Sequence, residues 1–194
     1  MKIFKILIII FLCFVIHFCS NKNEISSLEY EIYSYIIDSL YVRNGAPFVL
    51  IGDSTKATIY TDRKVLYEAL DLDYITKDLP IKEQKILLNN YVAVNRKRYD
   101  INEKNINVKI DVFVSPMRRF FQILREKHEH YNIKSTRKSG VFFFSRVGFN
   151  SNKTYAILFY DYNCGGLCGW PAYCYLKKSK SGWQILDDYH LGTY

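Results

Sequence analysis

Three short blocks carry residue types suited to acyl transfer. Gly52-Asp53-Ser54 directly follows the apolar run Phe48 to Ile51, Gly148-Phe149-Asn150 lies further on, and Asp187-Asp188-Tyr189-His190 stands near the C-terminus. In such chemistry Ser54 attacks an acyl carbon and His190 removes its proton. Asp187 orients the imidazole, and the Gly and Asn of the middle block donate to the oxyanion. A plainer reading competes. Asp53-Ser54-Thr55 is a natural turn, because Asp and Ser side chains bond their own backbone. The constellation also needs its His on a loop beside a parallel sheet, whereas the last third of this chain reads as consecutive antiparallel strands. The turn is therefore the preferred reading, and a hydrolase built on Ser54, Asp187 and His190 is the alternative.

The cysteines form a second group. Cys13 and Cys19 lie near the N-terminus, and Cys164, Cys168 and Cys174 lie close together near the other end. Cys164-Gly165-Gly166-Leu167-Cys168-Gly169 is a glycine-rich stretch between two predicted strands, and glycine permits the tight backbone that a short-range disulfide needs. A Cys164–Cys168 disulfide is predicted. Cys174 falls on the same strand face as Ala172 and Leu176 and reads as a buried apolar thiol. The competing zinc site would use these three thiolates with His190. Structural zinc favours two cysteine pairs and only one is present, so no metal is expected. No cofactor is expected either. In His128-Glu129-His130 the two imidazoles are two residues apart and cannot face one ion from a helix, so that segment reads as a solvated helix end.

Aromatic residues gather in the same region: Tyr155, Phe159, Tyr160, Tyr162, Trp170, Tyr173 and Tyr175. Strand alternation divides them between two sheet faces. One face must be core, and the other is a candidate platform for a protein partner or a glycan.

The N-terminus gives location. Met1-Lys2-Ile3-Phe4-Lys5 is a basic start, followed by an unbroken apolar run from Ile6 to Ile16. That run is short of the about 20 residues of a membrane span and fits the core of a signal peptide. It ends at Cys19, followed by the polar Ser20-Asn21-Lys22-Asn23-Glu24. This arrangement resembles a bacterial lipoprotein signal, in which cleavage before the Cys leaves its thiol carrying a diacylglycerol. The preferred reading is a leader over 1–19 with Cys19 lipidated; an uncleaved anchor and a freely secreted form are the alternatives. All three place residues 20–194, read as a single globular domain, outside the cytosol. The net charge of +8 is dispersed in short clusters. It reads as solvated Lys and Arg, so nucleic acid is not an expected partner.

The elements follow from periodicity. Ile25, Leu28, Ile32, Ile36 and Leu40 make one helical face, ended by Asn44-Gly45. Pro47 to Ile51 reads as a buried strand, 62–70 as a short helix, and 80–94 as a helix with Pro80 in its first turn. Ile106, Val108, Ile110, Val112 and Val114 alternate with mostly polar residues and predict a strand. Ser115 is expected to cap a helix running to about His128. The segment 132–140 reads as a surface loop. Strands are expected over 141–147, 154–162, 172–177 and 183–188, as an antiparallel meander. The fold class is α+β, with helices in the first two thirds and the meander packed against them.

Ser145-Arg146-Val147-Gly148-Phe149-Asn150, Ala156, Cys164-Gly165-Gly166-Leu167-Cys168-Gly169 and Gly182-Trp183 together resemble a group of exported proteins and lipoproteins common in Bacteroidota. Those carry an S-x-V-x-F-N stretch, a strand with a central Ala, a C-G-x-x-C-G loop and a closing G-x-W strand. The likeness covers about the last quarter of the chain and departs at Pro171, where the group tends to have Gly. It implies export but no activity. The meander is also similar, at fold level only, to cone-shaped folds of the nuclear transport factor 2 type. The Gly52-Asp53-Ser54 and Asp187-to-His190 blocks are similar to those of exported serine esterases of the Gly-Asp-Ser type. The expected function is that of an extracytoplasmic, lipid-anchored, non-enzymatic protein. It would bind a protein or glycan through the sheet face or the Cys-Gly loop.

Overall fold

The computed structural model describes residues 24–40, 45–56, 66, 78–129, 139–165 and 168–192. The leader with Cys19, the helix expected over 62–70 (Leu66 excepted), His130 and most of the 132–140 loop lie outside the described residues. Among the described residues the chain is α+β, with three α-helices and one seven-stranded sheet.

Helix α1 (Ser27–Leu40) buries Ile32, Tyr33, Ile36 and Ile37, as the apolar spacing requires. Its start is a reciprocal cap that satisfies two otherwise orphaned donors. Ser26 N donates to Glu29 Oε2 at 2.9 Å, and Glu29 N donates to Ser26 Oγ at 3.3 Å. Helix α2 (Ile81–Val94) has Pro80 as its cap, one residue ahead of the expected position, and buries Leu87, Leu88 and Tyr91. Helix α3 (Phe120–His128) follows a 3-10 turn over Met117–Arg119. Ser115 does not cap it. That residue ends strand β2 (Asp111–Ser115), and Pro116 opens the turn instead.

The remaining strands are β1 (Phe48–Gly52), β3 (Val141–Phe144), β4 (Gly148–Phe149), β5 (Tyr155–Gly165), β6 (Cys168–Ser179) and β7 (Gly182–His190). The sheet order is β2-β1-β3-β5-β6-β7, with β4 also on β5. Strands β5, β6 and β7 are consecutive and antiparallel. The sheet is larger than a meander, because β1 pairs in parallel with both β2 and β3. Parallel neighbours need crossover connections, and α2 and α3 lie in the two that join β1 to β2 and β2 to β3. These helices occupy the sheet face opposite α1. Helices on both faces and parallel strands at one side depart from the cone-shaped expectation.

Two expected strands are shorter in the structure. Residues 106–110 alternate in burial but form no ladder; Asn107 N donates to Ser34 Oγ of α1 at 2.9 Å. The strand expected over 141–147 breaks after Phe144. There Ser145 Oγ accepts from Phe159 N at 2.8 Å, taking the place of a backbone acceptor.

The alternation of β5 sorts the core. Ala156, Leu158, Tyr160 and Tyr162 pack with Ala172, Cys174, Phe142 and Phe144 under α1. Tyr155, Ile157, Phe159, Tyr173 and Tyr175 pack with Leu87, Leu88 and Tyr91 of α2. Phe48, Leu50 and Val141 pack with Phe120 of α3.

Candidate functional site

The residues of the Ser145–Asn150 stretch are engaged within the fold. The Arg146 guanidinium makes a two-pronged ion pair with Glu29, from Nε to Oε1 at 2.6 Å and from the terminal nitrogen to Oε2 at 2.9 Å. Both side chains are buried, at 8% and 4% exposure. Burial works against the guanidinium charge, but the Glu29 hydrogen bonds and charge outweigh it and raise the Arg146 pKa. The guanidinium also lies 4.3 Å from the centre of the Tyr99 ring, a cation–π arrangement. Asn95 of α2's C-cap clasps the same residue from the other side. Its Oδ1 accepts from Arg146 N at 2.8 Å and its Nδ2 donates to Arg146 O at 3.0 Å. Arg146 thus ties α1 and α2, from opposite faces, to one break in the sheet.

Gly148 lies against α2. A Cβ there would fall within 2.6 Å of Tyr91 Cα and 2.7 Å of Tyr91 N, which is backbone and cannot move aside. Asn150 shapes the β4–β5 turn: its Oδ1 accepts from Thr154 N and Tyr155 N, both at 2.9 Å. It is committed to that turn and does not serve as an oxyanion donor.

Ser54, Asp187 and His190 do not converge. Ser54 follows β1 and bridges to Asp100. His190 ends β7, and β3, β5 and β6 lie between β1 and β7. Four strand spacings put the two roughly 19 Å apart. Asp187 pairs with Tyr175 on one face of β7, whereas His190 pairs with Ala172 on the other. The carboxylate that reaches His190 is Asp188, whose Oδ2 lies 3.1 Å from His190 Nε2. A D-x-H spacing on a strand gives this directly, since residues two apart share a face.

Asp188 belongs to a small polar cluster on the α1 side of the sheet. Tyr160 Oη donates to Asp188 Oδ2 at 2.7 Å, and Trp170 Nε1 donates to Tyr160 Oη at 3.2 Å. The Trp170 and His190 rings stack with centroids 5.3 Å apart and planes 22° off parallel. Burial, and then the Asp188 charge, push the Tyr160 pKa up, so this phenol stays a neutral donor. The His190 side chain is 46% exposed. The other aromatic residues proposed as a platform are buried, with Tyr155 and Tyr162 the most accessible at 8% each. Trp170, half-buried, is the one that reaches the surface. The cluster has a carboxylate acceptor, an imidazole and a flat indole ring, and so can hold a ligand ring or a polar group. The nearest thiol, Cys174, is buried, and burial followed by the Asp188 and Asp187 charges pushes its pKa well up.

Beside this cluster, Cys164 and Cys168 form a disulfide with Cα atoms 5.2 Å apart. Strand pairing continues to Gly165↔Cys168, so the bridge sits at the closing end of the β5–β6 hairpin. Two bonded sulfurs are not thiolate ligands, and the zinc alternative therefore does not fit. Reduction of the intact protein is expected to add the mass of two hydrogens, with the buried Cys174 thiol resisting alkylation in the folded state. Replacing both bridge cysteines by Ser should cost about 2 kcal/mol, because so short a loop has little closure entropy to remove. Mass spectrometry and urea unfolding read these outcomes. Comparison of the chain with protein-family models, with curated proteins and with solved structures finds no match.

Proposed function

We propose that this is an extracytoplasmic, lipid-anchored, non-enzymatic binding protein whose recognition surface is the Trp170–His190 stack beside the disulfide hairpin. The observation that carries the reading is this stack. Two rings, held by Tyr160 and Asp188, stack at the end of the β6–β7 pair, with the His190 side chain 46% exposed. Exposed aromatic rings over a rigid strand pair suit stacking on a sugar or on a protein side chain. The Cys164–Cys168 disulfide supports an oxidising compartment. The polar side chains of the family-like stretch are spent on internal contacts, which supports a binding role over catalysis. The lipid would be carried by Cys19, as the lipoprotein-like leader over 1–19 implies.

The test is binding of the purified protein to arrays of glycans and of peptides. Wild type is expected to bind a defined subset. Trp170→Ala, at a half-buried position, should weaken that binding by about thirtyfold or more, the loss typical of an aromatic anchor. Binding unaffected by Trp170→Ala contradicts the assignment. In parallel, a panel of activated acyl esters is expected to show no turnover that depends on Ser54. Turnover present in wild type and lost in a folded Ser54→Ala protein would establish the esterase alternative.

A further inference from the structure

The outer face of α3 is the largest apolar exposure among the described residues. Phe121 is 81% exposed and Met117, one turn earlier, is 70% exposed. Their exposure is not a defect of packing, because the inward residues of the same segment are satisfied. Phe120 packs on Phe143 with centroids 5.7 Å apart, and Ile123 and Leu124 pack against the same cluster. Phe121 at the start of α3 and Met117 in the turn before it are therefore left outside that cluster, facing solvent.

The residues around Phe121 give the chemistry of what meets the other. Arg125 is four residues after Phe121 on α3, which places it beside Phe121 on the helix surface, and Arg118 lies with Met117 in the preceding 3-10 turn. Both are exposed, as is Arg119. The acidic residues on this helix are Glu126 and Glu129, and Glu126 Oε1 is occupied by Gln122 Nε2 at 2.8 Å. Lys127 is turned inward, 4.0 Å from the centre of the Phe113 ring. An exposed Phe and Met ringed by arginines match an interface of apolar interior and negative surface.

We propose that this face docks on an anionic lipid membrane, with Phe121 and Met117 entering the headgroup boundary and Arg118, Arg119 and Arg125 on lipid phosphates. Its position agrees with the tether. Met117 follows the end of β2, where Asp53 N donates to Ser115 O and Ile101 N donates to Asp53 O. The residue before Ile101, Asp100, lines one cavity with Glu24, the first described residue of the chain. Glu24 and the start of α3 thus lie at the same end of the sheet. The proposal deepens the membrane-anchored reading but rests on its own observations.

The experiment uses the full chain with Phe121→Trp, mixed with phosphatidylcholine vesicles or with vesicles containing phosphatidylglycerol. Emission is measured with and without brominated lipid, against the wild-type background of Trp170 and Trp183. The proposal predicts a blue shift and bromolipid quenching from position 121 in anionic vesicles, reversed by high salt. Adding Arg118→Gln and Arg125→Gln should lower the ratio of docked to free emission about fivefold per arginine. Equal emission in anionic vesicles, neutral vesicles and buffer would overturn it. So would a blue shift without vesicles that grows with protein concentration, which would make the occupant a second copy of the chain. Quenching at position 121 in the Cys19→Ala background separates this contact from the tether: a failed tether changes vesicle recovery of that protein, not the lipid dependence of its quenching.

Discussion

Glu29→Ala is expected to destabilise the domain by about 3–5 kcal/mol, the cost of leaving one member of a buried ion pair behind. The stranded partner is the worst possible one. A guanidinium cannot shed its proton at any ordinary pH, so Arg146 must either stay charged in the core or break out of it. Glu29 is also the acceptor for Ser26 N and for Val147 N, the latter at 3.2 Å, so the start of α1 and the break after β3 lose their anchor together. The melting temperature should fall by about 6–20 °C. Arg146→Met is expected to be milder at low pH, where the remaining carboxyl can take up a proton. The double change Glu29→Met with Arg146→Met should recover most of the loss, because two apolar side chains can replace a buried pair at little net cost. Thermal and urea unfolding of the four proteins check this. A Glu29→Ala midpoint within error of wild type would mean that the pair does not organise the fold.

Much of this architecture was legible in the sequence, and the failures have common causes. The helical face from Ile25 to Leu40, the strands after Tyr155 and the Cys164–Cys168 bridge follow from local periodicity and spacing. Residues 106–110 alternate as a strand does, yet alternation reports burial on one side and not hydrogen bonding to a neighbour. Their backbone meets Ser34 of α1 instead of a strand. The parallel pairing of β1 with β2 and β3 joins segments far apart in sequence, and no local signal carries it. The same limit applies to the site. Asp188 and His190 share a strand face by spacing alone. Their connection to Tyr160 and Trp170 depends on the β5–β6 and β6–β7 registers. The esterase constellation failed for the converse reason, since residue types suited to catalysis say nothing of the strands that separate them. No local signal marks Arg146. Its partners Glu29 and Asn95 lie 117 and 51 residues away.

The second large effect concerns Cys19, and it tests the central claim most directly. A lipidated N-terminal cysteine carries acyl chains that each add about 0.8 kcal/mol of membrane affinity per buried methylene. Two or more such chains hold a protein stably, whereas a protein without them keeps only its peripheral contacts. The measurement is intact mass and detergent-phase partitioning of wild type and Cys19→Ala, both produced in a lipoprotein-processing bacterium. The account predicts a wild type that lacks residues 1–18, carries the mass of a diacylglycerol on Cys19 and collects in the detergent phase. Cys19→Ala should show no lipid mass, and its detergent-to-aqueous ratio should fall by more than about a hundredfold. Identical masses and identical partitioning for the two proteins would contradict it.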